Sequence, residues 1–361
     1  MHNSIAEDRQ PSEDATMHIC YIHTNLWPYT YGGAELRHYL FAKELSKMGY
    51  KVTYITYDWG PTDIPTATVG PPPPLYDREG RRDIINTVKF SYAAAKKAKN
   101  LRCDKIDVTV PYLPAYLLPR EKIILTYWEF WGDKWKDYYG RILGRMVMWG
   151  EKAIIKRAPL VITATKIVAN QVFRYNRNTA IIPVGLNLDH YLVYRSHNKT
   201  YDLAYVARLV PYKGLDVLIE VLNAVGEKLR VLIIGDGPLR DRLAAEIKRM
   251  RHEVEWRRNV AEEDKRRLLA QAKIYLNLSK TEGFSIATLE AIALGAYPIV
   301  LDAEGYNAAR EIVENLNYGY VAKTPAEVVK AIEEARPSPL EPEKLMQYHI
   351  SNVVQQYIRL L

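Results

Sequence analysis

Two carboxylates, Glu282 and Glu290, bracket a short stretch whose backbone could hold an anion: Gly283, Phe284, Ser285, Ile286 and Ala287. An apolar run, Ile274 to Leu278, precedes them and reads as a buried strand. From Ser285 the apolar residues recur at helical spacing, and Gly295 is placed to end that helix. A strand would therefore deliver Glu282 and Gly283 to a helix N-terminus, where unpaired N–H groups and the helix dipole favour an anion such as a diphosphate. Glu282 lies before the helix, and Glu290 roughly two turns inside it, about 8–10 Å along at 1.5 Å per residue. Two carboxylates flanking an anion site suit a sugar–diphosphate–ribose, one for sugar hydroxyls and one for ribose hydroxyls. By itself the spacing fits equally well a polar helix entry with one solvated carboxylate.

A second cluster lies upstream. Arg208 and Lys213 stand five residues apart, after the apolar run Tyr201–Val206 and before Gly214. Two cations in a strand-to-helix turn can converge on one diphosphate, although a solvated loop is the commoner fate of such a pair. Gly235 and Gly237 follow another apolar run, and Gly32 and Gly33 precede a helical pattern near the start of the chain. Either glycine pair could be a tight turn or let backbone approach a phosphate closely.

These residues need strand-to-helix turns, and the chain supplies them twice. His18–Thr24, a helix to about Met48 and Lys51–Tyr57 form a β-loop-α-β start. Further strands are expected at Ile106–Val110, Lys122–Tyr127, Leu160–Thr163 and Ala180–Val184, with a helix over Asn86–Asn100. Gly32–Gly33 is not Gly-x-Gly-x-x-Gly, which argues against a dinucleotide oxidoreductase. A second β/α half opens at Tyr201, after a join at about 190–200. The expected organisation is a disordered extension over 1–16, an N-terminal Rossmann-like domain over 17–193, a C-terminal one over 194–342, and a returning helix over 343–361.

At 361 residues, 48% hydrophobic and 25% charged, the chain has the composition of a globular protein with two domains. No uninterrupted apolar run could span a bilayer, and the first sixteen residues lack the apolar core of a signal peptide. Cys20 and Cys103 are the only cysteines and lack metal-ligand spacing, so reduced thiols in a cytoplasmic protein are expected. Most of the formal net charge of +8 falls in the first half. Such charge can meet nucleic acid, anionic lipid or phosphorylated substrate, but no nucleic-acid-binding pattern accompanies it. Trp131, Trp135, Tyr138, Tyr139, Ile142, Met146 and Trp149 interleave with Lys134, Lys136, Arg141 and Arg145. This fits a membrane-interfacial face or a core-packed amphipathic helix with a basic solvent side.

Glu282-Gly-Phe-Ser, followed by Glu290-Ala-Ile-Ala-Leu-Gly-Ala-Tyr-Pro-Ile-Val, resembles the signature of family 4 retaining glycosyltransferases. Gly32-Gly-Ala-Glu, Ile182-Pro-Val-Gly-Leu-Asn-Leu-Asp, Arg208-Leu-Val-Pro-Tyr-Lys-Gly and Gly235-Asp-Gly-Pro extend that resemblance over most of the chain from Met17. It implies an α/β GT-B fold, two Rossmann-like domains facing each other across a cleft. It also implies a retaining transfer of a sugar from a nucleotide diphosphate-sugar to a glycan or lipid-linked acceptor. Arg208, Lys213 and Glu282 are then the catalytic candidates. Gly32, Gly33, Gly235, Val260, Gly283, Phe284, Ser285, Ile286, Ala287 and Glu290 are the donor-binding ones. Many family members carry a histidine where this chain has Trp128, so Trp128 and Glu129 are acceptor-side candidates and no catalytic histidine is carried over. No Asp-x-Asp pair occurs, so neither a metal nor a cofactor is expected beyond the donor substrate. The alternative functions are a nucleotide-sugar epimerase and a non-catalytic, nucleotide-sugar-binding regulatory subunit. The expected location is cytoplasmic, with peripheral docking on an anionic membrane face.

Overall fold

The computed structural model of the protein describes residues 17–30, 32–77, 81–196, 198–335 and 340–361. The expected disordered extension, 1–16, lies outside them. Among the described residues thirteen strands build two sheets. β1 (His18–Ile22), β2 (Lys51–Thr56), β3 (Thr66–Thr68), β4 (Lys105–Val108), β5 (Ile123–Tyr127), β6 (Leu160–Thr163) and β7 (Thr179–Ile181) run in the order β3-β2-β1-β4-β5-β6-β7. β8 (Tyr201–Val206), β9 (Arg230–Ile234), β10 (Glu253–Arg257), β11 (Ala272–Asn277), β12 (Tyr297–Leu301) and β13 (Tyr320–Ala322) run β10-β9-β8-β11-β12-β13. The central strands are parallel, as β1 with β2 and β4 and β8 with β9 and β11 illustrate. Parallel strands buried on both faces read as continuous apolar runs, and β1 is buried at every residue. In each sheet the order reverses beside the first strand, which makes a crevice outside the carboxyl ends of the strands there. This is the two-sheet Rossmann-like architecture expected.

One compact unit comprises the chain up to Thr126 together with Asp133–Leu160; the other comprises Tyr127–Gly132 and Val161–Leu361. In the first, the Ile84–Leu101 helix begins where the Asp83 carboxylate accepts from Asn86 N at 2.7 Å. After the aromatic stretch a helix runs Arg141–Arg157, and Gly140 separates it from a short helix, Lys134–Tyr139, within that stretch. They pack so closely that a Cβ on Gly144 would stand 2.3 Å from the Trp135 carbonyl oxygen.

The structure divides the aromatic set of this region. Trp135 stacks on Tyr139 at 5.7 Å, the Tyr138 hydroxyl accepts from Arg82 N at 2.8 Å, and the Tyr139 hydroxyl donates to Arg82 O at 2.7 Å. These rings are used internally. On the Arg141–Arg157 helix, Gly144, Met148, Glu151 and Ile155 face inward. Ile142, Met146 and Trp149 face outward, exposed by 81%, 63% and 66%.

The expectation of two reduced cysteines is corrected. β1 and the segment entering β4 run side by side, which brings Cys20 and Cys103 to a Cα separation of 5.9 Å, and they form a disulfide. Sequence spacing could not reveal this, because the pair is 83 residues apart.

In the second unit the core lies between the β8–β13 sheet and its helices, with Leu203, Leu218, Leu222, Ile233, Leu276 and Ile299 buried in one cluster. The last helix is shorter than expected. Pro342–Leu345, a 3₁₀ turn at Met346–Tyr348 and a helix at Ile350–Ile358 replace one continuous helix. His349 is extended and bridges Leu186, and Ile350 lies so close to Gly185 that a Cβ there would approach its Cα to 2.9 Å.

Candidate active site

The central motif forms as a strand, a loop and a helix. β11 ends at Asn277, and the helix runs Ile286–Ala293. Its N-cap, Ser285, holds a left-handed backbone at φ 74° and makes no side-chain cap. A non-glycine residue there costs on the order of 1 kcal/mol or more, and surrounding contacts must fix it. They do: Asn277 Nδ2 donates to Ser285 Oγ at 2.8 Å and to Thr288 Oγ1 at 3.0 Å. The side chain that would ordinarily cap the helix is thus held away, leaving its first amides for another acceptor.

Glu282 is fixed through backbone and side chain. Its N–H donates to Tyr306 O at 3.1 Å, and Ala308 N donates to its carbonyl at 3.2 Å. Below this bridge, the buried Asn307 amide donates to Asn277 Oδ1, Ser279 O and Leu301 O, each at 3.0 Å. The Glu282 carboxylate accepts from Lys213 Nζ at 2.5 Å and from Ser279 Oγ at 3.1 Å. Lys213, the last residue of a 3₁₀ turn, is steadied by Tyr205, whose hydroxyl donates to its carbonyl at 2.8 Å. Burial foremost, then the negative charge of Glu282 and Asp216, pushes the Tyr205 hydroxyl well above its ordinary pKa, so it stays a donor. The 208–214 turn lies on the motif: Lys280 N donates to Tyr212 O at 2.8 Å, and the Arg208 guanidinium donates to the Tyr212 hydroxyl at 2.6 Å.

Glu290, only 2% exposed, sits within the helix. Its Oε1 accepts from the Tyr191 hydroxyl at 2.8 Å and from Lys265 Nζ at 3.1 Å, and the same ammonium lies 3.1 Å from Oε2 and 2.8 Å from Glu262. Burial alone would discharge Lys265, but Glu290 and Glu262 outweigh it and hold its pKa above the ordinary lysine value. Burial, then Glu290, drives Tyr191 far upward, so it too remains a donor.

Gly283 lies so close to Trp128 that a Cβ would stand 2.6 Å from the Trp128 carbonyl oxygen, and its own carbonyl accepts from Thr165 Oγ1 at 3.1 Å. Thr281 Oγ1 donates to Glu129 at 3.2 Å. The backbone of Trp128 and the side chain of Glu129 therefore both abut the motif. Phe284 is buried with its ring edge-on to Tyr348, so what it can offer a ligand is its amide. Ile286 and Ala287 open the helix half-buried. Gly235 follows β9 at φ +152°, where a Cβ would stand 1.9 Å from Ala207 O, which is why glycine stands there. Val260 is half-buried behind Asn259, just before the Glu262–Leu269 helix. In the other unit, Gly32 caps the Gly33–Lys47 helix. Glu35 folds back over it to accept from Asn25 Nδ2 at 2.7 Å.

The Lys213–Glu282 pair and the partners of Glu290, Tyr191 and Lys265, were not anticipated. One signal was available for Lys265: it precedes Leu268 and Leu269 by three and four residues, on the helix face that must turn inward. Tyr191 lies 99 residues from Glu290 and gave none.

Two parallel Rossmann-like sheets, with a carboxylate pair and a basic turn at the strand ends of the second, have the architecture of the GT-B class of glycosyltransferases. Residues 193–351 match the family described as Glycosyl transferases group 1, and residues 31–190 match Glycosyltransferase Family 4. The chain belongs to the family 4 glycosyltransferases. Among sequence relatives, a subunit of the Arabidopsis thaliana phosphatidylinositol N-acetylglucosaminyltransferase is 33% identical over 36% of this chain and 30% of that one. Its Homo sapiens counterpart is 22% identical over 78% of this chain and 61% of that one, so the chain spans less than two thirds of either. Two solved structures share the fold. Sucrose-phosphate synthase from Thermosynechococcus elongatus has TM-score 0.78 and 17% identity, covering 95% of this chain and 98% of that one. HepE of Anabaena in complex with UDP-glucose has TM-score 0.71 and 16% identity, covering 95% and 99%.

Proposed function

We propose that the protein transfers a sugar, with retention at the anomeric carbon, from a nucleoside diphosphate donor to a lipid-linked acceptor. The observation that carries this is the Lys213–Glu282 pair, set beside a helix N-terminus whose cap residue is turned aside. Departure of a nucleoside diphosphate builds negative charge on its outer phosphate. Arg208, Lys213 and the amides from Gly283 to Ala287 meet that charge in a pre-organised site. Lys213 then exchanges a carboxylate for a phosphate partner, which frees Glu282 for sugar hydroxyls while Glu290 takes the ribose. No step in this reading is routed through a metal. The donor binds with its ring against the loop that Thr165 and Trp128 hold, and the acceptor attacks on the face the diphosphate leaves. The tethered diphosphate takes up the acceptor's proton, in place of the family histidine that Trp128 replaces.

The lipid acceptor is supported by the names of the sequence relatives and by the Arg141–Arg157 helix. Ile142, Met146 and Trp149 form an outward apolar stripe flanked by Arg141 and Arg145. An interfacial helix inserts such a face into the headgroup boundary while its basic residues meet anionic lipid. Among the described residues no helix is long and apolar enough to cross a membrane. The membrane face that is docked is the cytoplasmic one in this reading.

The test is donor turnover and binding in Glu282→Gln, with labelled nucleotide-sugars and lipid extracts as acceptors. Nucleoside diphosphate affinity should persist while affinity for the sugar-bearing donor falls. Equal loss of both would show that Glu282 does not read the sugar. Flotation with anionic liposomes at low salt, lost in a Met146→Glu/Trp149→Glu variant, tests the docking face.

A further inference from the structure

We infer that Thr165, held in place by Glu311, is a positioning residue of the donor site: its hydroxyl fixes the Gly283–Phe284 peptide so that the Phe284 N–H faces the outer phosphate of a nucleoside diphosphate. This rests on the donor-site reading above.

Gly283 and Phe284 share one trans peptide unit, in which the N–H points away from the C=O. Glycine on one side of that unit tolerates more than one orientation of its plane. Thr165 selects one, because its Oγ1 donates to the Gly283 carbonyl at 3.1 Å. The N–H on the opposite edge is that of Phe284, and it donates to no protein group among the described residues. The buried Phe284 ring, edge-on to Tyr348, anchors the far side of the same peptide.

Thr165 can direct this bond because it is itself fixed. It is buried as the N-cap of the Lys166–Phe173 helix, where Oγ1 accepts from Val168 N at 3.5 Å and keeps its single proton for Gly283. The two amides before Val168 are filled from another element. Lys166 N donates to Glu311 Oε2 and Ile167 N to Oε1, both at 2.7 Å. A buried carboxylate on two amides at a helix N-terminus is a charge-assisted clamp. Glu311 lies in the Ala309–Leu316 helix, and its N–H donates to Ala308 O at 3.1 Å. Ala308 N in turn donates to Glu282 O at 3.2 Å. One short segment, 308–311, therefore holds Glu282 through the backbone and Thr165 through Glu311. Two helix N-termini thus have opposite fates: the protein fills this one with its own carboxylate and leaves the one at Ile286 for the donor. Thr165 and Glu311 act on the donor through the Phe284 amide, without touching it.

The experiment is calorimetric binding of UDP, GDP and ADP to the full chain. Whichever binds tightest is then compared with its monophosphate, which lacks the outer phosphate, in Thr165→Val, Thr165→Ser and Glu311→Gln. A hydrogen bond to a charged acceptor corresponds to about ten- to hundredfold in affinity, so Thr165→Val should bind the diphosphate at least about tenfold more weakly. Its affinity for the monophosphate should stay within about twofold of the unaltered chain. Thr165→Ser keeps the hydroxyl and should restore diphosphate affinity to within about threefold. Glu311→Gln offers the two amides one acceptor oxygen in place of two, so the ratio of the two affinities should move the same way by a smaller factor. That variant and Thr165→Ser carry the test if Thr165→Val does not fold. Loss of mono- and diphosphate affinity by one common factor would make Thr165 a support of the fold alone and overturn the inference. Unchanged diphosphate affinity in Thr165→Val would overturn it too. Both outcomes leave the donor-site reading intact, because the unaltered chain still binds. Failure of all three nucleoside diphosphates to bind the unaltered chain would overturn that reading, and this inference with it.

Discussion

Replacing Glu290 by glutamine should destabilise the protein as well as weaken nucleotide binding. The amide keeps the shape and still accepts from Tyr191, but it removes the charge that holds Lys265. That ammonium is left with Glu262 alone at 2.8 Å, its side chain 16% exposed. Breaking a buried ion pair from one side costs about 3–5 kcal/mol. The remaining partner and the residual exposure reduce this to about 2–3 kcal/mol by the same reasoning. At roughly 2–4 °C per kcal/mol for a unit of this size, the melting midpoint should fall by about 5–10 °C. Denaturant unfolding of the unaltered chain, Glu290→Gln, Lys265→Met and the double variant closes the cycle. The double variant should recover most of the loss, because an apolar side chain beside a neutral amide leaves no buried charge unpaired, and Glu262, 30% exposed, turns to solvent. Unfolding free energies for Glu290→Gln and the unaltered chain within about 0.5 kcal/mol of each other would refute the reasoning. So would a double variant less stable than Glu290→Gln alone.

Arg208→Ala removes one hydrogen bond to the exposed Tyr212 hydroxyl, so its melting midpoint should barely move while turnover falls about a hundredfold, near 3 kcal/mol of transition-state stabilisation; steady-state kinetics on protein checked by thermal melting tests it. Cys20→Ser should lower stability by up to about 4.5 kcal/mol, the loop-entropy value for a closure of 83 residues, and a reductant under unfolding conditions should do the same to the unaltered chain. His23 has its pKa lowered to about 4, by burial first and then by His38, against the opposing pull of Glu35. The folded state therefore binds fewer protons than the unfolded one between pH 6.5 and 4. Stability should be constant above pH 6.5 and fall by about 3 kcal/mol as the pH drops to 4, and His23→Gln should flatten that slope in unfolding measured across the interval.

Much of this protein is local, and local features are legible in order. The inner strands of both sheets announce themselves as apolar runs between helical patterns, because a parallel strand must bury both faces, whereas the edge strands β3 and β10 carry no such run. The Glu282–Glu290 spacing, the Arg208–Lys213 turn and the glycines after β9 each sit within one strand-to-helix connection. Their placement therefore follows from the connection itself. Even the close approach of Gly235 to Ala207 could be suspected from a glycine at a strand end.

What the chain alone could not say is who partners whom across the fold. Cys20 meets Cys103 because β1 and the start of β4 are neighbours in a sheet whose order reverses there. Trp135, Tyr138 and Tyr139 turn inward while Ile142, Met146 and Trp149 turn outward. Gly140 separates two helices, and they pack at Gly144. Glu290 looked like a solvated carboxylate or a ribose ligand, and the fold buries it against Tyr191 and Lys265. The physical reason is common to all three. Periodicity reports which face of one element is apolar, but a buried charge or thiol is stabilised by groups on other elements. Those groups arrive only when the sheet order and helix packing have been set.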